Sequence, residues 1–150
     1  MPFPVEHLLE DREEPLCVDP QDLVSTALDL MSEYDYSQLP VVDEVGKPLG
    51  IVHHESILRA LRNLDVPIER LRVGTAMAQI ARADLYRSED DLFDILERLW
   101  DTNAVLIVDG EERLIGIVTT YDALVYFRLR AEDILYVEDI EQMLRDLIRY

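Results

Sequence analysis

The chain repeats itself, and this repeat limits the folds available to it more than any other feature. Residues 39–58, LPVVDEVGKPLGIVHHESIL, align without a gap with residues 105–124, VLIVDGEERLIGIVTTYDAL. Upstream, DLVSTALDLM at 22–31 matches DLFDILERLW at 91–100. Because self-similarity at a fixed interval indicates a duplicated structural unit, the sequence predicts two modules of one design.

Each copy predicts the same order of elements. A short strand, LCV at 16–18 or LY at 85–86, leads through a polar turn into a helix, and two short apolar strands and a second helix follow. The expected fold is therefore α/β (α+β), with two pseudo-twofold-related β-α-β-β-α modules over residues 1–66 and 67–130 and a C-terminal amphipathic helix over 131–150. Since about 60 residues bury little surface alone, we expect the modules to pack face to face, with a ligand cleft between them.

Charge and composition exclude several classes of protein. The chain has 32 acidic and 14 basic residues, a formal net charge of −18 at pH 7. A surface of this sign repels polyanions, so neither nucleic acid nor an anionic membrane is an expected partner. No apolar run approaches the roughly 20 residues that span a bilayer, and the first 15 residues lack the features of a signal peptide. Cys17 is the only cysteine, so a cytoplasmic location is expected, and its apolar neighbours predict a buried thiol.

One strand-to-helix junction carries groups suited to binding a ligand. In GIVTTYDAL at 116–124, Thr119 and Asp122 are three residues apart at the expected start of a helix. Residues at this spacing lie on one side of the first helical turn, where backbone N–H groups favour an anion. A carboxylate also accepts charge-assisted hydrogen bonds from two adjacent hydroxyls. The same pair is typical of a helix cap, so capping alone is the other interpretation.

The segments quoted above, together with VGTAM at 73–77, resemble a tandem pair of CBS domains, a family named after cystathionine β-synthase. The resemblance covers most of the chain, and its most specific elements are the PVVD strand, the glycine before IV and the Gly-x-x-Thr-x-x-Asp spacing. It implies a regulatory module that binds an adenosine nucleotide such as AMP, ADP or ATP between the modules. It also implies a homodimer formed through helices, no required cofactor and no enzymatic activity.

The family motif assigns the ribose hydroxyls to Asp122 and a phosphate or ribose contact to Thr119. The resemblance implies further lining residues from both modules: Ile117, Val118, Thr120 and Tyr121 from the second, and Pro15, Tyr36 and Ser37 from the first. Tyr36 is expected either to stack on the base or to be a rim aromatic.

The first copy departs from the motif. His53 and Ser56 stand at the positions of Thr119 and Asp122, so the ribose carboxylate is missing there. His53 is a candidate contact for the phosphate of a ligand held at Asp122, and the alternative is a partly exposed histidine at a helix start. HHE at 53–55 lacks a partner at metal-ligand spacing, so no metal site is expected.

The residue patterns of two further segments predict their structure. DREE at 11–14 is expected to be a solvated turn, because carboxylates are abundant throughout the chain. In the tail, apolar residues recur at helical spacing, namely Val137, Ile140, Met143, Leu144, Leu147 and Ile148. This stripe is expected to pack on its own module or on a second copy, or to lead to an effector domain. The second hypothesis for the whole chain is an interaction or dimerisation module with an empty, degenerate cleft.

Overall fold

Two three-stranded sheets carry the two copies of the repeat. The structure is a computed structural model, and it describes residues 4–81 and 84–148. In the first sheet the order is β1-β2-β3, comprising Gln38–Val42, Pro48–His53 and Ala78–Gln79, all antiparallel neighbours. In the second the order is β4-β5-β6, comprising Leu85–Arg87, Ala104–Val108 and Leu114–Thr119, with β4 parallel to β5 and β5 antiparallel to β6.

Helices cover these sheets. Their bounds are Glu6–Leu9 for α1, Val24–Glu33 for α2, His54–Asn63 for α3, Val73–Ala76 for α4, Leu92–Thr102 for α5 and Thr120–Ile148 for α6, with a 3-10 turn at Ile68–Arg70. The predicted β-α-β-β-α order is confirmed in both copies. The expected first strand of the first copy is reduced to one parallel bridge between Val18 and Val41.

The hairpin between the two long strands is the same in both sheets. Val41 pairs with Gly50 in the first sheet and Ile107 with Gly116 in the second, and the register shifts after each of these pairs. Asp43 explains one of the repeated residues, because its carboxylate accepts the backbone N–H groups of residues 45 and 47 at 3.0 and 2.9 Å. Asp109 closes the second hairpin in the same way.

Each module is completed by a short helix from outside its repeated β-α-β-β-α unit. Val5 and Leu8 of the α1 region are buried in the core of the second module, and Val73 and Ala76 of α4 are buried in the core of the first. The Val5 N–H donates to the carbonyl of residue 90, and the Val73 N–H donates to the carbonyl of residue 22, both at 2.9 Å. The predicted boundary between residues 66 and 67 separates the two copies in sequence. In the structure, α1 lies before this boundary but packs in the second module, and α4 lies after it but packs in the first.

The helix after β6 and the predicted C-terminal helix are one element, α6. Its only buried residue within the described range is Ala123, and every residue from Arg128 to Ile148 is exposed. The expectation that the tail packs on its own module is therefore wrong. Within residues 4–81 and 84–148, no helix combines the length and the apolar character needed to cross a membrane. Cys17 was expected to be buried, but it is exposed, since LCV forms no continuous strand.

Candidate functional site

Thr119 and Asp122 form a reciprocal cap where β6 ends and α6 begins. The backbone N–H and the hydroxyl of Thr119 both donate to Asp122 Oδ2, at 2.8 and 2.9 Å. In return, the Asp122 N–H donates to Thr119 Oγ1 at 3.2 Å. The pair thus forms the helix cap that its spacing predicts, and a ligand contact at Asp122 stays a prediction. The cap fixes the carboxylate in one orientation while 20% of the side chain stays accessible.

The other carboxylate oxygen of Asp122 is held by Arg12, which comes from the N-terminal segment. Arg12 Nη2 lies 2.8 Å from Asp122 Oδ1, and Arg12 Nη1 donates to the Ile117 carbonyl at 3.0 Å. The segment was predicted to be a solvated turn, and this contact was missed. The sequence holds one indication that Arg12 forms a specific contact: it is the only lysine or arginine in the first 46 residues.

The first module builds the same cap from different groups. The His53 N–H donates to Ser56 Oγ at 3.1 Å, and the Ser56 N–H donates to His53 Nδ1 at 3.1 Å. The Ser56 hydroxyl donates to the His53 carbonyl at 2.9 Å. Burial is the main cause that lowers the pKa of His53, which favours the neutral ring whose Nδ1 accepts this bond. The phosphate contact proposed for His53 stays a prediction, and only its Nε2 is left free of the cap.

The remaining residues expected from the second module take different places around the junction. Val118 is fully buried in the core, and Tyr121 is 74% exposed. The Thr120 N–H donates to the carbonyl of Asn103 at 3.1 Å, and its hydroxyl donates to the carbonyl of Leu99 at 3.3 Å. Thr120 thereby ties the start of α6 to the end of α5. Ile117 lies beside the cap and contributes its carbonyl to Arg12.

The residues expected from the first module lie at two places. Pro15 is half-buried and only three residues after Arg12. Tyr36 stacks on Tyr34, with ring centroids 5.9 Å apart, and half of its surface is exposed. Ser37 is exposed and precedes Gln38, whose strand partner is His53. Tyr36 and Ser37 thus adjoin the His53 end of the first sheet, and their role at Asp122 stays a prediction.

A cavity lies between the two hairpins, apart from the junction. Its volume is about 390 Å³, and its lining residues are Val45, Lys47, Glu111 and Arg113. Arg113 is paired with Glu111 at 2.7 Å and with Asp109 at 3.3 Å. The charge of Arg113 is therefore neutralised by these two carboxylates. Over the described ranges, no group of three His, Cys, Asp or Glu residues is arranged to hold a metal ion.

The sequence model of the CBS domain matches residues 5–63 and 86–128. The chain belongs to the CBS-domain family. This membership confirms the resemblance drawn from the repeat, and the junction with Thr119 and Asp122 lies within the second matched segment.

Curated relatives with a longer chain share this region. Inosine-5′-monophosphate dehydrogenase of Methanocaldococcus jannaschii is 33% identical over 111 residues, which are 73% of this chain and 21% of the dehydrogenase. The enzyme of the same name from Aquifex aeolicus is 28% identical over 110 residues, with coverages of 72% and 21%. The chain thus spans about a fifth of the length of these relatives.

Solved CBS pairs share the fold. CBSX2 in complex with AMP is 26% identical, with a TM-score of 0.71 and coverages of 87% of this chain and 98% of that chain. CBSX2 from Arabidopsis thaliana gives a TM-score of 0.73 at 23% identity, covering 89% and 99%. The CBS domain pair of MJ0100, in complex with 5′-methylthioadenosine and S-adenosyl-L-methionine, gives 0.71 at 21% identity, covering 87% and 99%. Two modules with helices on small sheets are the common architecture.

Proposed function

We propose that this chain is a regulatory module that binds an adenosine-containing nucleotide at the junction of β6 and α6. The observation that carries the proposal is the orientation of Asp122, whose carboxylate is fixed by Thr119 at a partly accessible position. A fixed carboxylate is suited to the two vicinal hydroxyls of a ribose. The AMP complex of CBSX2, which is 26% identical, supports the choice of an adenosine ligand.

The start of α6 suits the phosphate end of such a ligand. The helix dipole is positive at the start of a long helix. It favours an anion beside Thr119, even though the Thr120 and Asp122 N–H groups already donate to the Asn103 carbonyl and to Thr119 Oγ1. The net charge of −18 does not prevent this, because exposed charges are screened within roughly 10 Å at physiological salt. AMP, ADP and ATP all meet this requirement. The lining assigned to Ile117, Val118, Thr120, Tyr121, Tyr36, Ser37 and Pro15, with His53 at the phosphate, is part of the proposal.

One ligand is proposed per chain. The first module has Ser56 where the second has Asp122, and the Ser56 hydroxyl is already donated to the His53 carbonyl. A ribose at that position would find no carboxylate acceptor. The asymmetry between the two caps therefore limits the high-affinity site to the second module.

Regulation rather than catalysis is the proposed role. The chain matches only about a fifth of the dehydrogenases, through a region that belongs to the CBS family. Nothing at the junction activates a nucleophile, because the Thr119 hydroxyl donates to a carboxylate that also holds Arg12. We propose a cytoplasmic module without a required cofactor, whose ligand state is detected by a partner protein or a linked domain.

A thermal-shift screen tests this function. The ligands are AMP, ADP, ATP, S-adenosylmethionine and NAD, each at concentrations up to the millimolar range. A ligand at 100 times its dissociation constant stabilises the folded state by about 2.7 kcal/mol, which raises the melting temperature by several degrees. A response to at least one adenosine phosphate is expected. The absence of any response would contradict the proposal and would favour a module with an empty cleft.

Self-association through α6 is the second candidate function, and it is compatible with the first. Six apolar side chains of the tail are 53–83% exposed: Val137, Ile140, Met143, Leu144, Leu147 and Ile148. Polar and charged residues such as Glu138 and Glu141 alternate with this stripe around the helix. We propose a second copy as its partner, because two equal stripes related by a twofold axis cover each other.

Analytical ultracentrifugation of a tail variant tests the dimer. Ile140→Asp and Leu144→Asp together place two charges within the stripe, and the expected result is a monomer. Glu138→Gln is the matched control outside the stripe and should leave the dimer intact. A wild-type chain that sediments as a monomer at all concentrations, or a double variant that remains dimeric, would exclude this interface.

A further inference from the structure

We propose that the N-terminal segment Glu10–Arg12 is a built-in competitor for the ligand at Asp122, and that ligand binding releases it. The inference rests on the proposed function, because it concerns access to the same carboxylate. It assigns a regulatory role to residues of the N-terminal segment that lie more than one hundred positions from Asp122 in sequence.

Arg12 occupies the accessible side of the carboxylate. Asp122 Oδ2 already accepts two hydrogen bonds from Thr119, so Oδ1 is the oxygen left for an incoming hydroxyl. Arg12 Nη2 lies 2.8 Å from that oxygen. A ribose oxygen and a guanidinium nitrogen cannot take the same position, so the ligand has to displace Arg12 to use Asp122 in the proposed way.

A second bond holds the guanidinium in place. Arg12 Nη1 donates to the Ile117 carbonyl at 3.0 Å, so one side chain spans a strand carbonyl and the first turn of α6. The planar guanidinium presents several N–H groups in a fixed arrangement, which is why both bonds form at once. Both acceptors belong to the junction assigned to the nucleotide.

The side chain of Leu9, immediately before the segment, lies on the same surface. A Cβ placed on Gly116, the first residue of the Gly-x-x-Thr-x-x-Asp motif, would lie 2.6 Å from Leu9 Cδ2 and 3.1 Å from Leu9 Cδ1. Leu9 therefore fills the space that the glycine leaves open. Asp11, with φ of 61°, reverses the chain between Leu9 and Arg12 and brings the guanidinium back over the junction.

The contact is weak enough to be displaced. The side chains of Arg12 and Asp122 are 36% and 20% exposed, and ion pairs at this exposure contribute little in water. Such a competitor lowers the affinity for a ligand by a factor between about two and ten, and it does not close the site. The same factor applies to every ligand that uses Asp122, because each has to displace the same side chain.

Release of the segment gives the ligand a structural consequence. The segment continues from α1, whose residue Leu8 is packed in the core of the second module. Ligand binding at Asp122 would free residues 10–14 while α1 stays in place. The bound and free states therefore differ at an exposed, strongly acidic stretch, which is a feature that a partner could detect.

Calorimetric titration with AMP and with adenosine tests the competitor. The variants are Arg12→Gln and, as matched control, Arg59→Gln, since Arg59 forms an exposed ion pair of the same length, 2.8 Å, with Glu55 on α3. Arg12→Gln is expected to raise the affinity for both ligands by the same factor of about two to ten. Arg59→Gln should change neither affinity. Equal affinities of wild type and Arg12→Gln would overturn the proposal.

Three other outcomes are distinct. If Arg12→Gln weakens AMP and leaves adenosine unchanged, Arg12 is a phosphate contact and the competitor is overturned. If neither the wild type nor the variant binds any adenosine ligand, the proposed function fails, and the competitor fails with it. If only Arg12→Gln binds, the competitor is supported and stronger than expected.

Hydrogen exchange gives a readout that needs no ligand. Arg12→Gln removes the charge that holds the segment, so the amides of residues 10–14 should exchange faster than in the wild type. Saturating AMP should produce the same acceleration in the wild-type chain. Unchanged exchange in Arg12→Gln would overturn the internal contact even where ligands bind as proposed for Asp122.

Discussion

Asp122 is bound to Thr119 by two hydrogen bonds to a single carboxylate oxygen, 2.8 and 2.9 Å long. His53 and Ser56 form the corresponding bonds in the first module with an imidazole nitrogen and a hydroxyl. The duplicated frame thus needs a cap at this helix start, and either set of groups supplies it. Only the second set leaves a carboxylate oxygen that can accept from something outside the cap.

Removing the Thr119 hydroxyl tests the cap itself. Thr119→Val keeps the size of the side chain and removes a donor to Asp122 and an acceptor for its N–H, so the free energy of unfolding should fall by about 1 kcal/mol. Urea denaturation measures the change. Thr102→Val is the control, because that hydroxyl donates to the carbonyls of Arg98 in α5 and of Ala104 at the start of β5. An equal decrease in the free energy of unfolding in both variants would show that the bonds between Thr119 and Asp122 contribute no more stability than an ordinary hydroxyl contact.

The cap of the first module predicts a dependence of stability on pH. Burial lowers the pKa of His53, and the nearby cations Arg59 and His54 lower it further, whereas Glu55 opposes them. A lowered pKa in the folded state means that the cap contributes fully above the ordinary histidine pKa of about 6.5 and is lost as the pH falls through the lower value. The contribution of this cap to the melting temperature should therefore be smaller at pH 5 than at pH 7.5.

His53→Asn isolates that contribution. Asparagine caps a helix without titrating in this range, so the difference in melting temperature between variant and wild type should shift in favour of the variant as the pH falls. His54→Asn, one residue further along, should keep most of the wild-type pH dependence, because burial is the main cause of the shift at His53. A profile that is identical in wild type and His53→Asn would show that the cap histidine is not the titrating group.

Replacing the two glycines at matching positions of the repeat by alanine should lower the free energy of unfolding by unequal amounts. A Cβ at Gly50 would lie 2.4 Å from the backbone carbonyl oxygen of Ala78, which β3 holds in place. At Gly116 the nearest atom is the mobile end of Leu9, at 2.6 Å. Gly50→Ala should therefore cost about 2 kcal/mol or more of unfolding free energy, and Gly116→Ala less than about 1 kcal/mol. Denaturant titration of both variants gives the comparison, and a larger loss at Gly116 would contradict this packing.

Cys17 should react slowly despite its exposure. Lost hydration raises the pKa of its thiol, and the charge of Glu14 raises it further, so little thiolate exists at pH 7. The rate of alkylation by iodoacetamide should lie below that of a free cysteine and increase in Glu14→Gln. A rate above that of free cysteine would show that the thiol is activated.

The duplication explains why much of the fold could be predicted from the sequence. Two aligned copies of a hairpin with a common aspartate and glycine define strand, turn and register, and Asp43 and Asp109 indeed close the two hairpins. The cap at Thr119 also follows from local spacing. These features depend on contacts between residues close in sequence, and such contacts can be predicted from the spacing of residue types.

Other features depend on contacts between distant parts of the chain. Arg12 meets Asp122 only because α1 packs in the second module, and a charge run gives no indication of that packing. The exchange of α1 and α4 between the modules has the same origin. The continuity of α6 could have been found, since no glycine or proline follows Gly116 in the sequence.

The most direct test of ribose binding at Asp122 is a calorimetric measurement of AMP affinity. It compares the wild type with Asp122→Asn and Asp91→Asn. Asp91 caps α5 in the same module, accepting from the Phe93 N–H at 3.1 Å, so its variant controls for the loss of a cap carboxylate. Asp122→Asn is expected to weaken AMP binding at least tenfold, since a charge-assisted bond to ribose is lost, while Asp91→Asn should keep the wild-type affinity. Equal affinity in wild type and Asp122→Asn would contradict the assignment of the ribose to Asp122.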